Sequence, residues 1–284
     1  PISDVLSDLT IEAGSTSFAL HKATDINTVV LRSKQKSIAK CKNRTTELKL
    51  CAFGRIRKLL LEAKDTKILR INLTGLSDGS DTFELAAKFC YGVNVEITIS
   101  NVALLRCAAR FMKMTEDISD KNLEIHTEVF LKDAVFSNIS NSIFVLHRCE
   151  TLLLVSEEVN LVSQLINAIA NNACKEQLTS SLSKLEYNFP PKPVQCVDSE
   201  TLSDWWGKLL TVLNLDCFQR VLLAVKTKGL KQYIINRILI NYAQNSLQGL
   251  FIKDPQLVKG SFLDLDLQKK QRIIIKTIVG VLQK

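Results

Sequence analysis

The sequence predicts a mainly α chain, with a small α/β module followed by an all-α helical region. Three observations carry that reading. Strand-like alternation occurs only before residue 100. Apolar residues recur at helical spacing from Asn122 to Cys174 and again beyond residue 203. Between those stretches Pro190, Pro191 and Pro193 gather, and no proline lies between Ile2 and Phe189. With 284 residues, 46% hydrophobic and 23% charged, the composition excludes a disordered or low-complexity chain. A chain of this length buries about 75% of its unfolded surface and needs no metal or disulfide to hold its core.

The elements follow in order. Leu9, Ile11 and Ala13 alternate with polar residues, Gly14-Ser15 supplies a turn, and Phe18 and Leu20 resume the alternation, so a hairpin is predicted. A basic, weakly patterned stretch runs from Thr24 to Phe53. From Gly54 a short helix carrying Ile56, Leu59, Leu60 and Ala63 leads to a strand over 68–73 and a Gly/Asp/Ser loop over 74–80. Asp81 is placed to cap the next helix with Glu84 completing a capping box. Phe83, Ala86, Ala87 and Cys90 then fall at i, i+3, i+4 and i+7, an inward stripe. Tyr91-Gly92 ends this helix, and residues 93–99 alternate as a strand. Ser100 is expected to cap a helix whose only polar stripe is Arg106, Arg110 and Lys113, with Val102, Leu105 and Ala109 facing the core. Beyond the prolines, Phe218, Val221, Leu222 and Val225 form one helical stripe closed by Gly229. Ile235, Ile238, Leu239 and Tyr242 form a second, and Ile275, Ile278, Val279 and Leu282 a third.

The net charge of +8 is largely local. Arg32, Lys34, Lys36, Lys40, Lys42, Arg44 and Lys49 stand against only Asp25 and Glu47 within residues 24–53. A general nucleic-acid binder is therefore disfavoured. That stretch has no zinc-finger spacing beside it, and between residues 32 and 49 no aromatic to stack on bases. No apolar run reaches the roughly 18 residues of a membrane span. No secretory signal is visible, and the lack of a starting Met makes a fragment the expectation. Eight scattered Cys without a C-x-x-C spacing read as reduced, intracellular thiols.

A search for reaction chemistry returns little. There is no Walker A loop, G-x-G-x-x-G, H-E-x-x-H or G-x-S-x-G. The S-x-x-K pattern recurs three times without partner motifs. His147 and Cys149, two apart on a helix, point to different faces and cannot share a metal. Trp205-Trp206 reads as an anchor of its helix rather than a ligand platform. No catalytic residue, cofactor or metal site is expected, and an interaction protein is the default.

The segment FELAAKFCYG (Phe83 to Gly92), the following VNVEITISNVALLRCAARFMKM, and SDLTIEAGSTSFALHK (Ser7 to Lys22) resemble the BTB/POZ domain of the plant non-phototropic hypocotyl family. DWWGKLL (Asp204 to Leu210), FQRVLLAV, GLKQYIINRILINYA and QRIIIKTIVGVL resemble the start of that family's C-terminal helical domain. The resemblance divides the chain into a BTB/POZ-like domain over 1–120 with an atypical insertion at 24–53, a helical extension over 121–174, a Pro-containing linker over 175–202, and the N-terminal part of the helical domain over 203–284. It implies a non-enzymatic substrate-recognition adaptor of a cullin-3 type ubiquitin ligase in phototropin- and auxin-linked signalling. The partners it implies are the cullin-3 type scaffold, a phototropin-like kinase or other membrane signalling protein, and a second copy in a homodimer. The location it implies is cytoplasmic, at the plasma membrane. The cullin-facing surface maps to residues 83–96, with Phe83, Tyr91, Val93, Asn94 and Glu96 as the candidate interface.

The chain departs from the family pattern after His21-Lys22. There a Phe-Pro-Leu and Ser-rich segment is expected, and the basic stretch replaces it until Gly54-Arg55-Ile56-Arg57. This falls where a BTB domain places its first helix, so dimerisation and cullin binding are what it would compromise. Lys276 stands where the family favours an acid and Gln283 where it favours Pro, and the chain stops at Lys284 before the rest of the helical domain. Two other functions follow from these features: a truncated or degraded paralogue without competent ligase binding, and a nucleic-acid-associated BTB protein using residues 32–49 as a basic arm.

Overall fold

A computed structural model describes residues 9–22, 29–31, 47–48, 53–62, 69–76, 79–90, 94–114, 122–186, 205–247, 272–273, 275–276 and 280. They divide into two units. The first comprises Pro1–Ala134 with Thr151–Leu161, and the second Val135–Glu150 with Val162–Lys284. Helices dominate, and one small sheet lies in the first unit.

That sheet grows from the predicted hairpin. β1 (Leu9–Ala13) and β2 (Thr16–Lys22) pair antiparallel with Ile11 opposite Phe18, and the turn uses Gly14 at φ +61°. Two further strands fall inside the stretch read as a basic, weakly patterned insertion. β3 (Val29–Leu31) pairs with β2, and β4 (Glu47–Leu48) pairs with β3. The apolar run Val29-Val30-Leu31 is what lets the basic segment satisfy the N–H and C=O groups of β2's outer edge. Its last residue, Phe53, is fully buried. The remainder of the 24–53 stretch lies outside the described residues. α1 (Gly54–Glu62) then leads to β5 (Leu69–Asn72), which returns parallel to β1 with Ile11 beside Ile71. The sheet order is β4-β3-β2-β1-β5.

The core of this unit joins Ile11, Ala13, Phe18, Ile71 and Leu73 to α2 (Gly79–Cys90) and α3 (Val102–Phe111). On α2 the predicted stripe holds: Phe83, Ala86 and Ala87 are buried and Cys90 packs partly against them. On α3, Val102, Leu105 and Ala109 are buried as expected. Phe83 lies 4.8 Å from the Phe18 ring and 6.1 Å from the Phe53 ring. The helix starts earlier than the capping box suggests, at Gly79, so Asp81 sits in the first turn, where its charge still favours the helix dipole. Gly79 is held at φ +34°, with its Cα against the β1–β2 turn. A Cβ there would lie 2.9 Å from the backbone N and Cα of Gly14. α1 is tied down by Gly54 N–H to Lys113 O (3.2 Å) and Arg55 N–H to Met112 O (3.1 Å), and the Arg55 guanidinium stacks 4.2 Å from the Phe111 ring.

Part of the polar stripe of α3 is an interhelical contact, while Arg110 stays largely exposed and Lys113 lies past the end of the helix. Arg106 donates to Glu124 O (2.8 Å) and pairs with the carboxylates of Glu124 (3.6 Å) and Glu128 (3.7 Å) on α4 (Leu123–Phe130), and Arg110 also reaches Glu124 (3.7 Å). Asn122 caps α4 by accepting from Ile125 N–H at 2.8 Å. A π-helical turn, Leu131–Val135, follows.

In the second unit α5 (Ile139–Cys149) is capped by Asn138, and α6 (Leu153–Glu158), which belongs to the first unit, precedes α7 (Leu161–Glu186). α7 stays helical through the first twelve residues of the expected linker, because Leu165, Ile166, Ile169, Ala170 and Ala173 seat its earlier turns and no proline interrupts it before residue 190. The proline-rich part itself lies outside the described residues. Gln177 of α7 accepts from Lys231 N–H at 2.6 Å and so holds the turn between α8 (Leu215–Thr227) and α9 (Gln232–Leu247). Both predicted stripes on those helices are buried. The Phe218 and Tyr242 rings stack at 3.6 Å, and Tyr242 donates to Leu213 O at 3.1 Å. Trp206 opens a 3-10 segment, Trp206–Val212, and is buried as the anchor reading expects. Of the third predicted stripe, Ile275 is 44% exposed, and Ile278, Val279 and Leu282 lie outside the described residues.

Candidate partner-binding surface

The surface singled out by sequence begins where α2 ends. Its outer flank carries Glu84 and Lys88, paired at 2.8 Å one turn apart. Residues 94–98 then run extended into α3. The alternation predicted to make a strand is present in the side chains: Val95 and Ile97 pack against the core, while Asn94 and Glu96 are exposed. The strand is not. Residues 94–98 pair with none of the five strands, and two of their backbone groups are taken by the Asn101 side chain instead. The Asn101 side chain accepts from Thr98 N–H (2.8 Å) and donates to Glu96 O (3.0 Å), while Val102 N–H bonds to Thr98 O (3.0 Å). Asn101 therefore occupies the N-cap position of α3 expected for Ser100, and its side chain grips the preceding loop. Ser100 exchanges a hydroxyl hydrogen bond with Thr98 at 2.8 Å.

The five candidate residues separate under this geometry. Asn94 and Glu96 are both exposed. Phe83 does not join them. It is 1% exposed, beneath Phe18 and near Phe53, so its contribution is to the core that holds α2 in place. Tyr91 and Val93 lie outside the described residues. Asn101 is the participant that sequence reasoning missed. The bond runs backward, from the N–H of Thr98 to the side chain three residues after it, one of the local side-chain to backbone patterns open to Asn.

Titratable groups nearby serve packing. Burial pushes the Cys107 thiol up to about 12 against the pull of Arg106, which keeps it protonated and unreactive. A hydrogen bond from Lys132 holds Glu128 below the usual carboxylate range. His126 lies edge-on to Phe89 at 5.3 Å. In the other unit, exposed His147 approaches Glu150 at 3.3 Å while Cys149 is buried, the opposite facing that their spacing predicts. Among the described residues no group of three or more His, Cys, Asp or Glu is placed to hold a metal ion. No described helix is long and apolar enough to cross a membrane.

Fold and surface together define a mainly helical protein with a small mixed sheet, braced by an Asn-clamped loop. Residues 204–284 match the NPH3 family. BTB/POZ domain-containing protein At1g03010 of Arabidopsis thaliana is 52% identical over 282 residues, covering 99% of this chain and 40% of the relative. BTB/POZ domain-containing protein SETH6 of the same plant is 52% identical over 284 residues, covering 99% and 39%. Root phototropism protein 2, also from Arabidopsis thaliana, is 32% identical over 284 residues, covering 98% and 41%. The chain belongs to the NPH3 family. It spans about 40% of the length of these relatives. No solved structure matches it.

Proposed function

We propose that the chain is part of a non-enzymatic plant adaptor, in which the first unit acts as a BTB/POZ module for a cullin-3 type ubiquitin ligase. The reading rests on one observation above the others. Asn94 and Glu96 stand exposed on a loop held rigid by Asn101 and seated by Val95 and Ile97, so a polar edge is presented without flexibility to be lost on binding. The BTB/POZ names of the relatives support the module, and the name Root phototropism protein 2 supports a role in phototropic signalling. On this reading the adaptor recruits a phototropin-like kinase or other membrane signalling protein and works in the cytoplasm at the plasma membrane. A homodimer through the first unit belongs to the same proposal.

The test is a calorimetric titration of a cullin-3 N-terminal domain against wild type and an Asn94→Arg, Glu96→Arg double variant. Both positions are exposed, so thermal stability should match, and this is measured first. Binding by wild type with at least tenfold loss in the variant, about 1.4 kcal/mol, is the expected result. Equal binding by both would place the interface elsewhere. No binding by folded wild type would replace this reading with that of a copy lacking ligase competence.

A further inference from the structure

A second surface, in the other unit, is independent of the cullin reading. α9 buries Ile235, Ile238, Leu239 and Tyr242. At about 100° per residue its opposite face holds Tyr233, Arg237 and Ile240, spaced i, i+4 and i+7. Tyr233 is 66% exposed and Ile240 56%. Trp205 completes the patch. Its ring lies 4.4 Å beneath the Arg237 guanidinium, and it covers Gly207 so closely that a Cβ there would collide with the indole. The Trp and Arg are thus immobilised before any partner arrives, and Trp, Tyr and Arg are the residue types that concentrate binding energy at interface centres.

Charge selects the occupant. Neither α9 nor the 3-10 segment contains an Asp or Glu. Arg237 has no ion-pair partner among the described residues, and exposed Lys208 sits beside Trp205, its N–H bonded to Trp205 O at 3.0 Å. The patch is apolar at the centre with Arg237 and Lys208 at its rim, and the nearby carboxylate of Glu176 on α7 is taken up by a hydrogen bond from Trp206. A second copy would set Arg237 and Lys208 against like charge across a two-fold contact. We propose that this face docks an acidic amphipathic helix of a recruited protein, with apolar anchors on Tyr233 and Ile240 and carboxylates meeting Arg237 and Lys208.

The probe is a fluorescent amphipathic peptide of about 16 residues, with Leu at i, i+4, i+7 and i+11, a few Glu flanking the Leu stripe and Ala elsewhere so that it populates a helix. Controls replace Glu by Lys or scramble the Leu positions. Anisotropy titration of the full chain should show the acidic helix binding at least about tenfold tighter than either control, with affinity falling as salt rises. Tyr233→Ser with Ile240→Ser, or Arg237→Glu alone, should each weaken it by about 30-fold with unchanged circular dichroism. Undiminished binding by these folded variants, equal binding of the Lys peptide, or no binding at all would overturn the proposal. So would a concentration-dependent dimer abolished by Ile240→Ser, which assigns the face to a second copy. Binding that emerges only with Phe262→Ser and Leu265→Ser would likewise overturn it, by assigning the face to the chain's own sequence Phe262-Leu263-Asp264-Leu265-Asp266-Leu267.

Discussion

Replacing Gly207 with Ala should destabilise the second unit, against the usual helical rule. Inside a helix Ala is ordinarily favoured over Gly by about 0.5–1 kcal/mol. Here the added methyl would meet the indole of Trp205, with Cζ2 at 2.5 Å, Cζ3 at 2.6 Å and Cη2 in the same collision. The ring cannot easily retreat, since Arg237 stacks 4.4 Å from its centre and the Trp206 ring lies 5.8 Å away. Overpacking of this kind costs about 1–3 kcal/mol, so a net loss of up to about 2.5 kcal/mol remains after the propensity gain. Urea denaturation followed by tryptophan fluorescence reads the site directly, because the chain's two Trp are these two. In a Trp205→Ala background the same Gly207→Ala change should be neutral or stabilising, which gives a coupling of about 2 kcal/mol in a double-mutant cycle. Stabilisation by Gly207→Ala alone, or a coupling below about 0.5 kcal/mol, would refute the argument.

Phe83→Ala should cost about 3–5 kcal/mol and raise hydrogen exchange throughout α2 and α3, because Phe83 is buried against Phe18 and near Phe53. Unchanged exchange in α3 would show that the two helices do not share this core. Cys107, with its thiol pushed up to about 12, should resist alkylation at pH 8 until the unit unfolds, while part-buried Cys174, its thiol also raised by burial, should react faster in the native chain; peptide mass mapping distinguishes them. Glu128 should titrate below the ordinary carboxylate range by NMR, and Lys132→Met should move its midpoint upward. A carboxylate lowered in the folded state adds stability above its unfolded value and loses it as pH falls through the folded one, so the variant should lack that acid-limb loss.

What the sequence made legible follows from how burial and period coincide. The stripes through Phe83, Ala87 and Cys90, through Phe218, Val221 and Val225, and through Ile235, Ile238 and Tyr242 each repeat over about two turns, and a repeat of that length has one cheap burial. β3 and β4 are three and two residues long, too short for a period to emerge from a basic background. Residues 94–98 alternate correctly, but alternation fixes only which side chains face inward. Where the backbone hydrogen bonds go is decided by Asn101, a residue outside the alternating run. The candidate interface mixed two criteria: Phe83 was placed in the surface by its position in the motif and in the core by its stripe, and burial favours the stripe. The outer face of α9 escaped notice because Tyr233, Arg237 and Ile240 look unremarkable until Trp205, far away in sequence, is laid beside them.

The contact between Gly14 and Gly79 makes substitution in the first unit a one-way affair. Seen from Gly14, the neighbour is tolerant: a Cβ there would lie 3.5 Å from Gly79 Cα, an ordinary contact, and φ +61° is a conformation Asn can adopt. Seen from Gly79, the same contact is closed, since the obstacle is main chain and no rotamer change can clear it. Repair from the far side is equally impossible, because Gly14 has no side chain left to shorten. A mutational scan should therefore recover Asn at 14 and nothing but Gly at 79, and among chains that share this packing the turn is free to drift while the helix start is not.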